Sequence, residues 1–93
     1  MTAETFASVF EALTDTPIEA ANMTARADLL LAIRERIRAW DLSQDKAATR
    51  LGLTRPRLND LMRGKLDKFS LDALVNIASA AGLMLRIELI EAA

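Results

Sequence analysis

The chain has no cysteine and no histidine. Without cysteine there is no disulfide framework, no thiolate zinc site and no cysteine nucleophile. Without histidine the commonest general base and the usual metal ligand are gone. Aromatic residues make up only 4% of the sequence, and three glycines and two prolines are its strongest breakers. Set beside 52% hydrophobic and 27% charged residues, these scarcities favour helix and argue against both disorder and a β-sandwich. No apolar run reaches the ~18 residues of a membrane span, and the opening Met-Thr-Ala-Glu-Thr lacks the basic and apolar regions of a secretion signal. No carboxylate pair stands in a recognisable active-site context, and no glycine-rich phosphate loop is present. The expectation is a soluble cytoplasmic protein that is not an enzyme, with no metal, no cofactor and no membrane partner.

What is present fits one small domain. A chain of 93 residues hides roughly 60–65% of its unfolded surface, so its core is thin. The formal net charge is −1, but the charge is segregated. Residues 1–28 carry a net −4, residues 29–69 a net +5, and residues 70–93 a net −2. A basic centre between two acidic ends can attract phosphate even though the whole chain is mildly acidic. Scattered charge on a solvated helix surface would give the same totals, so the order of residues has to decide.

Phe6, Val9, Phe10 and Leu13 follow i, i+3, i+4, i+7 spacing and predict a short amphipathic helix near residues 4–13. Thr16 and Pro17 then read as an N-cap and a first helical position. From there a helix can run to about Trp40, with Leu30, Ile33, Ile37 and Trp40 as its apolar stripe. Ser43 caps a helix of residues 44–51, ended by Gly52, and Thr54 caps another of residues 55–63, ended by Gly64. Ser70 caps a last helix, buried through Leu71, Leu74, Val75 and Ala78 and closed by Gly82. Leu83, Leu85, Ile87 and Leu89 then alternate with Met84, Arg86, Glu88 and Ile90, the period of a strand. The predicted fold is mainly α, a five-helix bundle with one C-terminal strand. It divides into an acidic helical arm (1–25), a central domain (26–82) and a strand with a tail (83–93).

The stretch from Ser43 to Gly64, SQDKAATRLGLTRPRLNDLMRG, carries the chemistry. Two short capped helices are joined by Leu51-Gly52-Leu53-Thr54, the length that a helix-turn-helix requires. Small Ala48 allows a close crossing, and Ala47, Leu51, Leu53, Leu58 and Leu61 stand where the pair must bury side chains. Arg55, Arg57, Asn59, Asp60 and Arg63 are left facing outward, followed by Lys65 and Lys68. A helix that presents this set to a major groove can read DNA. Any helical hairpin needs a small residue, a turn glycine and apolar contacts; the joint spacing with a basic outer face favours the DNA reading.

The segment resembles the Cro/phage-repressor-like (XRE) helix-turn-helix family. More narrowly, TRPRLNDLMRGKLDKFSLDALVNIASAAGL is similar to HigA-type antitoxins of toxin–antitoxin operons, in which a TxPRxxxLxRGKxxxFSLDAL run is a signature. FxSVFEAL and the PxEAxNM segment often precede it there, so the resemblance spans Phe6 to Glu88. Arg55 stands where Gln is common and Asn59 where Ser is, so the operator sequence cannot be borrowed from relatives.

The resemblance implies that Gln44 and Thr54 hydrogen-bond phosphates from the two helix N-termini. Arg55 and Asn59 are the candidates for base edges, and Arg57, Arg63, Lys65 and Lys68 for salt-dependent backbone anchoring. Asp60 could accept from cytosine or pair internally with Arg57 or Arg63, and Asp67 reads as a surface partner of Lys65 and Lys68. Such domains usually bind operator DNA as dimers on half-sites about 34 Å apart. A lone strand also needs a partner: a second copy crossing at Ile87 would set Arg86 opposite Glu88 and Leu85 opposite Leu89. Its competing use is addition to a toxin's sheet. The implied toxin class is RelE-like, small basic ribonucleases acting on mRNA, which Phe6, Val9 and Phe10 of the acidic arm could contact. Alternatives are a regulator without a toxin, and an interaction module that never meets DNA.

Overall fold

The computed structural model describes residues 17–91. The helix expected over residues 4–13, with Phe6, Val9 and Phe10, and the Thr16 cap lie outside the described residues. Helix α1 (Pro17–Trp40) starts on a proline, which costs nothing where the amide has no intrahelical acceptor. Its 24 residues span about 36 Å at 1.5 Å per residue. It runs through residues 25 and 26 unbroken and ends at Asp41, which takes a positive φ of 52°.

Helices α2 (Gln44–Leu51) and α3 (Arg55–Met62) follow, then a single 3-10 turn (Leu66–Lys68) and helix α4 (Leu71–Ala80). Local chemistry fixes these boundaries. Ser43, Thr54 and Ser70 each accept a backbone N–H through the side-chain oxygen, from Lys46, Arg57 and Ala73. Each such cap is worth about 1 kcal/mol against Ala. At the end of α2, Gly52 adopts φ 70°, so that its N–H reaches Thr49 O and the Leu53 N–H reaches Ala48 O. A side chain there would be strained, because the left-handed region crowds Cβ. The same pair of bonds recurs after α3, from Gly64 to Leu61 O and from Lys65 to Asp60 O.

One apolar core joins the helices. Ile33 from α1, Leu58 and Leu61 from α3, Phe69 and Leu74 are its most completely buried large side chains. Ala47 and Ala48 put little bulk where α2 crosses α3 and α4. Leu30 and Ile37 are buried as the apolar stripe predicts, with Trp40 half-buried at its end. On α4, Ile77 is buried beside Leu74 and Ala78, while Leu71 and Val75 are only half-buried. Each fully buried Leu, Ile or Phe contributes roughly 1.5–3 kcal/mol relative to exposure.

Three arginines of α1 are also part of this packing. Arg26 Nη1 donates to Leu66 O (3.1 Å) and Phe69 O (3.3 Å), clasping both ends of the 3-10 turn. Arg36 Nε donates to Ala81 O (3.1 Å) just past α4, where a cation also meets the negative end of the helix dipole. The Arg34 guanidinium lies over the turn after α3, so close that a Cβ on Gly64 would stand 3.5 Å from its Nη1.

One expectation is corrected here. The described residues hold four α-helices and one 3-10 turn, the remaining helix of the expected five, over residues 4–13, lying outside them. They hold no strand: residues 83–91 are without regular structure. Alternation sets the face on which side chains fall, but a strand exists only when its N–H and C=O groups find a second backbone. No other extended segment is available among the described residues. Met84 and Leu89 are consequently 94% and 91% exposed. With α1 and α4 the segment borders a groove of about 720 Å³, lined by Leu29, Leu71, Val75 and Leu83 among others. No helix among the described residues is long and apolar enough to cross a membrane.

Candidate nucleic-acid interface

At 3.6 residues per turn, α3 cannot present every polar residue outward. Leu58 and Leu61 turn inward and are 2% and 0% exposed. Arg55, Asn59 and Arg63 recur at four-residue steps on the opposite side, and all three are exposed. Asn59 and Arg63 make no side-chain hydrogen bond or ion pair within the described residues. These two groups are therefore available to a ligand at no cost in internal bonds.

Arg55 begins α3 and is tied to the start of α2. Its Nη2 donates to Gln44 Oε1 at 2.7 Å, and its Nε lies 3.2 Å from Asp45 Oδ1. Gln44 keeps its amide N–H groups free, and Thr54 Oγ1 serves as a cap acceptor while its hydroxyl proton can still be donated. The N-termini of α2 and α3 thus bring Gln44, Thr54 and Arg55 to one edge of the motif. Asp45 was not singled out in the sequence, since a partner ten residues away across a turn leaves no local signature.

Arg57 is placed differently. It sits one turn before Leu61, on the flank of α3, and is half-buried. Its guanidinium stacks 3.9 Å from the centroid of the Phe69 ring, and Nη1 donates to Lys68 O at 2.6 Å. These contacts fasten α3 to the chain that follows it. Phe69 is 1% exposed, and the sequence reading missed it as a core residue and as a cation's platform. Arg50 stacks similarly on Trp40, at 4.3 Å.

Asp60 pairs internally, though with partners other than the arginines considered for it. Its two oxygens stand 3.4 Å from Lys65 Nζ and 3.5 Å from Lys68 Nζ. Those lysines are thereby drawn to Asp60 and not to Asp67. Partial desolvation works to raise the Asp60 carboxyl, but the Lys68 charge and the hydrogen bonds and charge of Lys65 outweigh it, holding it below its ordinary value. Lys65 and Lys68 flank the outward face, and the shared carboxylate offsets part of their charge.

The charge count of the basic centre therefore divides. Arg36 and Arg57 donate to backbone carbonyls and Arg34 lies over the Gly64 turn, whereas Arg55, Arg63, Lys65 and Lys68 surround the exposed side of α3. An anion approaching that side meets two capped helix N-termini, one prepositioned guanidinium and three further cations. Such a surface suits a phosphate backbone with base edges beside it. A family model described as a helix-turn-helix domain matches residues 12–90, most of the chain. No curated protein matches the sequence.

Proposed function

The chain belongs to this helix-turn-helix domain family, and from that premise we propose that it is a sequence-specific DNA-binding antitoxin that represses its own operon. Family membership supports DNA binding by a regulator. The observation that carries sequence reading is the exposed pair of Arg55 and Asn59 on one side of α3, Asn59 without an internal bond. Arg55 and Asn59 read base edges; Gln44, Thr54, Arg63, Lys65 and Lys68 hold the backbone. Arg57 positions α3 through Phe69, and any phosphate contact it makes is secondary to that role.

The antitoxin part rests on the resemblance of the TxPRxxxLxRGKxxxFSLDAL run and on charge. A net −4 over residues 1–28 complements a small basic toxin of the RelE-like class, and Phe6, Val9 and Phe10 add apolar area. The chain acts as a homodimer. Residues 83–90 expose Met84, Leu85, Ile87, Leu89 and Ile90, and a second copy of the same segment supplies the missing ladder, with Arg86 facing Glu88 across Ile87.

The test is a pull-down of the tagged chain from its host, with binding to its own upstream DNA measured in parallel. A stoichiometric small basic protein encoded beside the gene is the expected catch. Tight DNA binding with no such partner would leave a regulator without a toxin. Absence of any salt-dependent DNA affinity would leave an interaction module. Deletion of residues 2–14 is expected to abolish neutralisation and spare DNA binding.

A further inference from the structure

The Arg55 guanidinium is engaged before any ligand arrives. Its two contacts, Nη2 to Gln44 Oε1 and Nε to Asp45 Oδ1, both reach the first turn of α2. A guanidinium holds five N–H groups in one plane. The Nε–H and the nearer Nη2–H form its side edge, and Nη1 with the outer Nη2–H forms its end edge. Gln44 accepts from the Nη2 side of that edge, and the Asp45 carboxylate pairs with the charge beside Nε. The end edge is left, offering two parallel donors.

We propose that Asp45 is a positioning residue that sets base specificity: by holding the side edge of Arg55, it presents only the end edge to the major groove, where that fork fits guanine. Guanine alone offers two neighbouring acceptors there, O6 and N7. An untethered arginine has many rotamers and can swing to a phosphate, a contact that carries no sequence information. The Asp45 carboxylate opposes that swing, because it would lose its partner and would itself face a phosphate. The two side chains are 58% and 72% exposed, so their pairing adds little to folding. Its effect falls on base preference. A plain role for Asp45, favouring the N-terminal dipole of α2, would leave base preference untouched. This inference rests on the DNA-reading function proposed above.

The experiment selects sites from a randomised duplex DNA pool with the full chain, its Asp45→Asn and Arg55→Lys variants, and Asp45→Glu as the conservative rescue. The wild-type chain is expected to enrich guanine at one position of each half-site. Asp45→Asn should still bind, with discrimination at that position reduced roughly tenfold and other positions unchanged. Arg55→Lys, which has no fork, should lose the same position, and Asp45→Glu should recover part of it. The melting temperature of Asp45→Asn should stay within about 2 °C of wild type. Unchanged guanine preference in Asp45→Asn, or an equal loss at every position, overturns the assignment. Failure of the wild-type chain to enrich any sequence overturns the DNA-reading function itself, and Asp45's role with it.

Discussion

Two groups of arginines, on α1 and on the outer side of α3, differ in what they face. Arg26 and Arg36 donate to backbone carbonyls at the ends of other elements, and the Arg34 guanidinium lies against the turn at Gly64. Arg55 and Arg63 look outward, one strapped to polar side chains and the other unpaired. Arg57 belongs by position to α3 and by contacts to the first group. A count of positive charge in a stretch of sequence is therefore a poor measure of how much charge a ligand meets. The difference is one of environment: a guanidinium beside uncapped carbonyls is a fastener, and the same group in water is a contact.

Substitutions can pull the two groups apart. The largest effect is expected from Phe69→Ala, which empties a fully buried site and removes the platform under Arg57. About 3–5 kcal/mol of unfolding free energy should be lost, read by denaturant titration. Arg26→Met comes next, because Phe69 O loses the guanidinium donor and Leu66 O keeps only the Phe69 N–H. About 1–3 kcal/mol should go, with DNA affinity per folded molecule unchanged; a selective loss of DNA binding would move Arg26 into the other group. Arg63→Ala should behave in the opposite way. Stability should hold to within about 0.5 kcal/mol, while affinity for all sequences falls and the salt slope drops by about 1.

The smallest effects concern Asp60, whose lysine partners border the outward face. Asp60→Asn releases Lys65 and Lys68 and should strengthen binding to unrelated duplexes slightly, measurable as a steeper salt dependence. Its carboxyl is held below the ordinary 3.8 in the folded chain. The stabilisation is then fully present above that unfolded value and disappears as the pH falls through the lower folded one. Acid unfolding of Asp60→Asn should consequently lack a small component that the wild-type chain shows below pH 3.8.

The helices and their ends were legible because their causes are local. Ser43, Thr54 and Ser70 cap within three residues, and Gly52 and Gly64 end helices through bonds that span five. The outward placement of Arg55, Asn59 and Arg63 follows from helical period once Leu58 and Leu61 are given to the core. What was not legible depends on partners distant in sequence. Arg26 meets carbonyls 40 and 43 residues away, Arg57 meets a ring 12 residues on, and Asp45 meets Arg55 across the turn. Residues 83–90 failed for a related reason. Their period is that of a strand, but a ladder belongs to two backbones, and a single chain's alternation does not supply the second.

The outward row on α3 also bears on how such a protein diverges. Asn59, the base-edge candidate without an internal bond, holds nothing else in place, so replacing it leaves the caps, the core and the α1 fasteners intact. On the DNA-reading function proposed above, duplicated copies in one genome can then drift apart in the operators they recognise while keeping the same scaffold. Two such regulators become insulated from each other by a few surface changes, with no intermediate that must fail to fold.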